Sequence, residues 1–196
     1  MKVVNTSDKK LISVVIKALK NGGVVICPTE TVYGLIADAT NEKAVERVFR
    51  IKRRSKTKAI AVFVKNIKEV KKLAFVNKKQ QKYLKEKWPG KVTVILRRKP
   101  NCGLSEKLFA NKKVIGIRIS SSKLINELVK KINKPLTTTS ANISGQPAST
   151  KIKEILKQFE GQKIKPDLII DAGNLPKRRP SKVVDLTGKG EKVLRY

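Results

Sequence analysis

The stretch VVICPTETVYG (24–34) joins a short apolar run to a polar turn. VVIC (24–27) stops at Pro28 and predicts a buried strand, because a short run of consecutive apolar residues is typical of a strand covered on both faces. PTETVYG (28–34) then places two threonine hydroxyls and a carboxylate at the carboxyl end of that strand, where open α/β sheets gather ligands. The alternative is a turn whose Thr and Glu only cap the next helix.

Helical and strand-like patterns alternate on both sides of this stretch. Apolar residues recur at helical spacing between a predicted N-cap, Ser7, and a stop at NGG (21–23). Further strands are predicted at 59–64, 91–96, 114–119, 135–139, 167–171, 182–187 and 192–196, and further helices at 41–52, 67–73, 79–87, 123–132 and 151–158. Such interleaving predicts an α/β fold around a twisted, mostly buried sheet. The predicted loops, 98–106 and 172–181, do not resemble domain boundaries, so we expect one domain over residues 1–196.

The chain is strongly basic, with 46 Lys and Arg against 15 Asp and Glu and a formal net charge of +31. This excess predicts an anionic partner. The lysines are spread over nearly every helix and loop, which is also the pattern of a solvated surface. Composition therefore leaves a tRNA-binding protein and an ATP-using enzyme equally open.

Several kinds of site are excluded by composition. The chain has no histidine, so it contains no Ser-His-Asp triad, Cys-His pair or His-ligated metal site. Cys27 and Cys102 lack the paired spacing of a zinc site or a disulfide framework, and we predict no protein-bound metal. The polar start MKVVNTSDKK (1–10) and the absence of a long apolar run lead us to expect a cytoplasmic protein with no membrane contact.

Two polar segments carry candidate chemistry. Lys52, Arg54 and Lys58 surround the turn before the strand at 59–64, and a guanidinium fork flanked by two ammonium groups suits a triphosphate. TTTSANISG (137–145) follows another strand with hydroxyl, amide and backbone donors for a ribose, a phosphate or an amino acid. The alternatives are a solvated basic turn and a plain turn with local side-chain bonds. No Walker loop and no GxGxxG follows a strand, so ATP would bind by another architecture.

Six segments, taken in order, resemble the YrdC-like family of threonylcarbamoyl-AMP synthases, and the resemblance runs from about residue 8 to Tyr196. They are PTETVYGLIADAT (28–40), the Lys52/Arg54/Lys58 cluster, WPGKVTVIL (88–96), VIGIRI (114–119), TSANISGQPAST (139–150) and PSKVVDL (180–186). The resemblance implies a twisted mixed sheet flanked by helices, with a concave basic pocket for ATP and threonine.

The resemblance also implies site residues. The implied catalytic residues are Lys52, Arg54, Ser140 and Asn142. The implied ATP-binding residues are Lys52, Arg54, Lys58, Ser140, Asn142 and Arg195. The implied threonine-binding residues are Thr31, Arg118, Thr138 and Ser181, with Arg118 as the partner of the carboxylate.

The chain departs from the family pattern at five positions. Phe63 and Ser122 stand where the family often has histidine, Ser55 and Ser120 where it has proline, and Lys182 where it has threonine. We expect these changes to affect amino-acid binding more than ATP binding.

The implied reaction starts from L-threonine, bicarbonate and ATP. The amine of threonine captures bicarbonate or carbon dioxide as a carbamate, which attacks the α-phosphorus of ATP and expels pyrophosphate, for threonylcarbamoyladenosine modification of tRNA. Mg²⁺ would enter with ATP, the chain would be a monomer, and it would transiently contact the tRNA threonylcarbamoyl transferase complex. The alternative is a double-stranded RNA or tRNA-binding module that uses the same concave basic surface, although aromatic residues make up only 5% of the chain.

Overall fold

The computed structural model describes residues 1–196 and contains ten strands and six α-helices. The strands are β1 (Lys2–Asn5), β2 (Val25–Cys27), β3 (Gly34–Ile36), β4 (Ala61–Phe63), β5 (Val92–Arg97), β6 (Val114–Arg118), β7 (Leu136–Ser140), β8 (Leu168–Asp171), β9 (Lys182–Asp185) and β10 (Lys192–Arg195). The helices are α1 (Leu11–Lys20), α2 (Glu42–Lys52), α3 (Ile67–Leu73), α4 (Lys78–Lys87), α5 (Lys123–Ile132) and α6 (Ile152–Glu160), with a 3₁₀ helix at Glu106–Phe109.

All ten strands form one mixed sheet in the order β1-β8-β2-β3-β7-β4-β6-β5-β9-β10. The pairs β1–β8, β8–β2, β4–β6 and β5–β9 are parallel, and the other five pairs are antiparallel. The predicted α/β fold with a mixed sheet flanked by helices is therefore confirmed.

Side chains alternate between two cores because neighbouring residues of a strand point to opposite faces. On β4, Val62 belongs to a core of 34 buried residues that also contains the apolar sides of α2, α3, α4 and α6. Phe63 belongs to a second core of 15 buried residues, to which α1 and α5 contribute. The second core is less than half as large, so its two helices cover only part of their face of the sheet.

The uncovered part of that face forms a cavity. Ala61, two residues before Phe63 on β4, lines the cavity rather than the core. On the neighbouring strand β6, Gly116 and Arg118 share this face, since Phe63 pairs with Arg118 in the parallel register. The strand pairing thus places the cavity directly beside the smaller core.

Four local features differ from the sequence predictions. The edge strand β1 and the three-residue strand β3 were not predicted, and the 3₁₀ helix begins where the predicted loop 98–106 ends. Ser7 is not the N-cap of α1, because the helix begins at Leu11 and the Ser7 hydroxyl instead donates to Oδ1 of Asn5 at 2.9 Å. None of the helices combines the length and the apolar character needed to cross a membrane.

Candidate active site

The sheet cavity, as we name it, has a volume of about 370 Å³. It is lined by Thr29, residues 31–34, Arg54, residues 59–61, Thr93, Ile95, Lys112, Val114, Gly116, Arg118, residues 138–140, Pro180, Ser181, Val183 and Arg195. The lining contains three arginines and one lysine but no Asp or Glu. The lining residues therefore offer several cationic donors to an anionic ligand, and none of them carries a carboxylate.

Small side chains form the floor of the sheet cavity. A Cβ added to Gly116 would lie 2.9 Å from Cβ of Ala61 and 3.5 Å from Cγ2 of Thr93. A separation of 2.9 Å is too short for two non-bonded carbon atoms, so a larger residue at position 116 would displace β4 or fill the cavity. Thr138 on β7 lies opposite Ala61 in the antiparallel register and continues the floor.

Lys52, the last residue of α2, lies beneath the wall of the cavity and does not line it. Only 2% of the residue is exposed. Its ammonium donates to the carbonyl oxygens of Ser140 at 2.6 Å and Asn142 at 2.8 Å, and to Oδ1 of Asn142 at 3.0 Å. Burial, with a smaller effect from the charge of Arg54, lowers the pKa of Lys52 to about 7. The ammonium thus ties the end of α2 to the hydroxyl-rich turn, as we name residues 137–145.

The turn at 140–142 is held by its own side chains as well. The Ser140 hydroxyl donates to Oδ1 of Asn142 at 2.5 Å. Nδ2 of Asn142 donates to the carbonyl oxygens of Ile143 at 3.0 Å and Gln146 at 2.6 Å. Asn142 is therefore saturated by partners within the chain and does not line the cavity, whereas Ser140 does.

Arg54 is aimed into the sheet cavity by the loop that follows α2. Helix α2 ends at Lys52, and the next residue, Arg53, adopts the left-handed conformation with φ of 49°. Nε of Arg54 donates to the carbonyl oxygen of Lys58 at 3.0 Å, and Nη2 donates to that of Ala59 at 2.8 Å. Nη1 makes no hydrogen bond within the chain, and burial lowers the pKa of the guanidinium. The side chain of Lys58 is exposed and lies outside the lining, so only its carbonyl takes part here.

Arg195 and Ser181 form one hydrogen-bonded unit in the cavity lining. Nε and Nη2 of Arg195 donate to the carbonyl oxygen of Ser181 at 3.0 and 2.8 Å, and Nη2 also lies 3.1 Å from the Ser181 hydroxyl. That hydroxyl contacts the hydroxyl of Thr93 at 3.0 Å. Partial burial lowers the pKa of Arg195. The resemblance implies that Arg195 binds ATP and that Ser181 binds threonine, and the structure brings the two residues into direct contact.

Arg118 lies at the end of β6 and is only 3% exposed. Its Nε donates to the carbonyl oxygen of Gly90 at 3.0 Å, and its Nη2 lies 2.7 Å from Oε1 of Glu30. The angle of the second contact is outside the range of a hydrogen bond, so it is an ion pair. Burial lowers the pKa of Arg118, and the charge of Glu30 opposes that shift.

The altered residues leave the cavity open. Phe63 is 1% exposed, packs in the smaller core and does not line the cavity, although its ring centroid lies 5.7 Å from the Arg118 guanidinium carbon. Ser122 caps the first turn of α5, where its hydroxyl accepts a backbone N–H at 3.4 Å. The hydroxyl of Ser120 donates to Oε2 of Glu30 at 2.6 Å. Phe63 thus contributes packing, Ser122 a helix cap and Ser120 a hydrogen bond to the Glu30 carboxylate.

Seven of the ten residues implied by the resemblance line the sheet cavity, namely Thr31, Arg54, Arg118, Thr138, Ser140, Ser181 and Arg195. Lys52, Lys58 and Asn142 do not. Sequence reasoning missed Lys112 and Thr93. Lys112 is one half of an ordinary lysine pair, so no sequence pattern indicates that it lines the cavity. Thr93 is a polar residue inside the apolar run VTVIL (92–96), and this pattern could have indicated it.

Comparison with known proteins gives close relatives over most of the chain. The Sua5/YciO/YrdC family model, described as "Telomere recombination", matches residues 17–196. A putative threonylcarbamoyl-AMP synthase of Methanocaldococcus jannaschii is 40% identical over 178 residues, which are 91% of this chain and 81% of the relative. A threonylcarbamoyl-AMP synthase of Vibrio vulnificus is 32% identical over 184 residues, which are 92% of this chain and 95% of the relative.

Solved structures share the fold. P. abyssi Sua5 complexed with L-threonine superposes with a TM-score of 0.89 at 28% identity, covering 99% of this chain and 56% of that one. The chain thus spans just over half of the length of that Sua5. E. coli YciO superposes with a TM-score of 0.85 at 26% identity, covering 99% of this chain and 93% of that one. Since the family model covers residues 17–196 and the motifs predicted the same family, this chain belongs to the Sua5/YciO/YrdC family.

Proposed function

We propose that this chain forms threonylcarbamoyl-adenylate from L-threonine, bicarbonate and ATP and releases pyrophosphate. The observation that carries the proposal is the meeting of Arg54, Arg118 and Arg195 in one cavity, each with an Nη1 that makes no hydrogen bond within the chain. Three such donors suit a ligand set that brings phosphates and a carboxylate together. The names of the M. jannaschii and V. vulnificus relatives support this choice of reaction.

ATP is assigned to Arg54, Arg195 and the hydroxyl of Ser140. The two guanidinium groups line the same cavity as Ala61 and Gly116, whose small size gives a flat group room to approach the sheet. In this proposal Arg54 and Ser140 contact the nucleotide directly. Lys52 and Asn142, which the cavity does not expose, act by holding Ser140 in place, and the exposed ammonium of Lys58 meets phosphates only from the rim.

L-threonine is assigned to Thr31, Arg118, Thr138 and Ser181. Its carboxylate would pair with Nη1 of Arg118, the strongest available match of charge and geometry. Its hydroxyl would exchange hydrogen bonds with the neighbouring Thr and Ser hydroxyls, which both donate and accept. P. abyssi Sua5 has been solved as a complex with L-threonine, which supports an amino-acid site in this fold.

The reaction needs positioning and charge neutralisation more than a covalent nucleophile. The amine of threonine and bicarbonate condense to a carbamate with loss of water, and a carbamate oxygen attacks the α-phosphorus of ATP. The new P–O bond replaces the bond to the bridging oxygen, and pyrophosphate leaves. Arg54 and Arg195 neutralise the charge that develops on the phosphate oxygens. Mg²⁺ would arrive bound to ATP, because Mg²⁺ readily takes substrate phosphates as ligands.

The reaction is tested with the purified chain, ATP, L-threonine and radiolabelled bicarbonate. We expect release of pyrophosphate that depends on threonine, and a labelled product that migrates with synthetic threonylcarbamoyl-adenylate. Pyrophosphate release without threonine, or no labelled adenylate at any bicarbonate concentration, would contradict the proposal.

The product is an activated intermediate, so an enzyme that transfers the threonylcarbamoyl group to tRNA must consume it. We propose that the chain works as a one-domain monomer in the cytoplasm and meets the transferase complex only transiently. Light scattering after gel filtration, with and without the transferase, measures the mass of the chain and its association with the transferase. The double-stranded RNA alternative is not favoured, because the curated relatives carry the name of the synthase.

A further inference from the structure

We propose that Glu30 is a positioning residue, which fixes Arg118 so that its free edge receives the carboxylate of the amino-acid substrate. This inference rests on the proposed function and assigns a role to a residue that does not line the cavity. The first observation is the burial of Glu30: its side chain carries a charge but is only 8% exposed. A buried carboxylate needs partners that repay its loss of hydration.

The carboxylate is held at both oxygens. Oε2 accepts the hydroxyl proton of Ser120 at 2.6 Å. Oε1 accepts the backbone N–H of Ser121 at 2.9 Å and lies 2.7 Å from Nη2 of Arg118. Both serine partners come directly after β6, the strand that ends at Arg118. Glu30 is therefore fixed to the same strand end as the arginine that it pairs with.

This ion pair determines the plane of the Arg118 guanidinium. Nε is held by the carbonyl oxygen of Gly90 at 3.0 Å, and Nη2 is held by Glu30. One directional hydrogen bond and one ion pair thus restrict the orientation of this planar group, and Nη1 makes no hydrogen bond within the chain. Because Arg118 lines the sheet cavity, that nitrogen is the one available to a ligand. Without Glu30 the guanidinium would keep only the hydrogen bond from Nε to Gly90, and its orientation would be less restricted.

Charge supports the same role. Burial and the nearby Arg195 both disfavour the charged form of Arg118, and Glu30 favours it. Burial also acts to raise the pKa of Glu30, but Arg118, Ser120 and Ser121 outweigh it and lower that pKa, so the carboxylate is ionised at neutral pH. Arg118 is protonated in any case, so the role of Glu30 is to compensate the buried positive charge before the substrate arrives. A glutamine at position 30 would preserve the shape but would remove this compensating charge.

Glu30 also connects two further parts of the cavity wall. Its carbonyl oxygen accepts Nη1 of Arg178, from the loop that leads to Pro180 and Ser181, at 3.0 Å. Its neighbour Thr31 lines the cavity directly. A shift of Glu30 would therefore be transmitted to Arg118 and to residues assigned to threonine, while Arg54 and Ser140 lie on other segments.

The test compares Glu30→Gln, Ser120→Ala and a matched control, Asp38→Asn, in the full chain. Asp38 is also a buried carboxylate paired with a cation, Lys134 at 2.7 Å, but it lies outside the cavity lining. We expect Glu30→Gln to raise KM for L-threonine about tenfold and Ser120→Ala about threefold, with KM for ATP unchanged, as losses of one charged and one neutral contact predict. Asp38→Asn should leave both KM values unchanged. Circular dichroism verifies that each variant is folded, and Ser120→Ala carries the test if Glu30→Gln does not fold.

A second measurement separates positioning from general damage. Calorimetry compares the binding of L-threonine with that of L-threoninamide, which lacks the carboxylate. In the unmodified chain we expect L-threonine to bind more tightly, and in Glu30→Gln we expect the ratio of the two affinities to shrink. An equal loss for both ligands, or tighter binding of L-threonine once Arg118 is released, would overturn the inference. If the unmodified chain binds L-threonine but releases no pyrophosphate, the proposed reaction fails, and the binding ratio still decides the role of Glu30.

Discussion

The ammonium of Lys52 lies 2.6 Å from the carbonyl oxygen of Ser140, 88 residues further along the chain. The contact joins the end of α2 to the end of β7, and so connects the basic turn (residues 52–58) to the hydroxyl-rich turn. These two motifs are separate in the sequence but form one structural unit. Arg54 and Ser140 can therefore act on one ligand, because the buried lysine between them keeps their segments together.

We expect Lys52→Met to lower both the free energy of unfolding and the activity. Methionine keeps most of the volume but leaves three acceptors of Ser140 and Asn142 without their charged donor. Loss of hydrogen bonds to a charged group predicts a cost of about 2–3 kcal/mol in urea unfolding. Lys56→Met is the control, since the Lys56 side chain is 76% exposed. Equal stability of the two variants would show that the ammonium does not hold the turn.

Much of the fold follows from the alternation of apolar runs, which predicts the long helices and most strands. The exceptions have physical reasons. Strand β3 has three residues and follows the polar turn so closely that no separate apolar run marks it. The site is harder to predict from the sequence than the fold. The burial of Lys52 depends on acceptors about ninety residues away along the chain. Lys112 has no local sequence pattern that distinguishes it from the surface lysines.

Arg54→Lys tests whether the cavity needs a guanidinium or only a positive charge. A lysine cannot bind the carbonyl oxygens of Lys58 and Ala59 and still present a free donor with the same geometry. We expect kcat/KM for ATP to fall about tenfold or more, with a smaller change in KM for threonine. Arg50→Lys, on the exposed side of α2, serves as the control. Full activity of Arg54→Lys would mean that charge alone is sufficient.

Gly116→Ala should damage both the cavity floor and stability. The new Cβ would lie 2.9 Å from Cβ of Ala61, and such overpacking costs about 1–3 kcal/mol. The double variant Ala61→Gly/Gly116→Ala removes the second carbon and should recover part of the loss. Thermal unfolding and KM for ATP are measured for both. A double variant that is no better than Gly116→Ala would show that the contact with Ala61 is not the cause.

The Glu30–Arg118 pair predicts how stability responds to acid. Interactions with Arg118, Ser120 and Ser121 outweigh burial and hold the pKa of Glu30 below its ordinary value of 4.5. A carboxyl whose pKa is lower in the folded state stabilises that state above the unfolded pKa, and this contribution is lost as pH falls through the folded pKa. The difference in unfolding free energy between the unmodified chain and Glu30→Gln should therefore be constant near neutral pH and shrink below about pH 4.5. Urea titrations across this range measure it. A difference that does not change with pH would mean that the pKa of Glu30 is the same in the folded and the unfolded chain, and its proposed hold on Arg118 would lose its electrostatic basis.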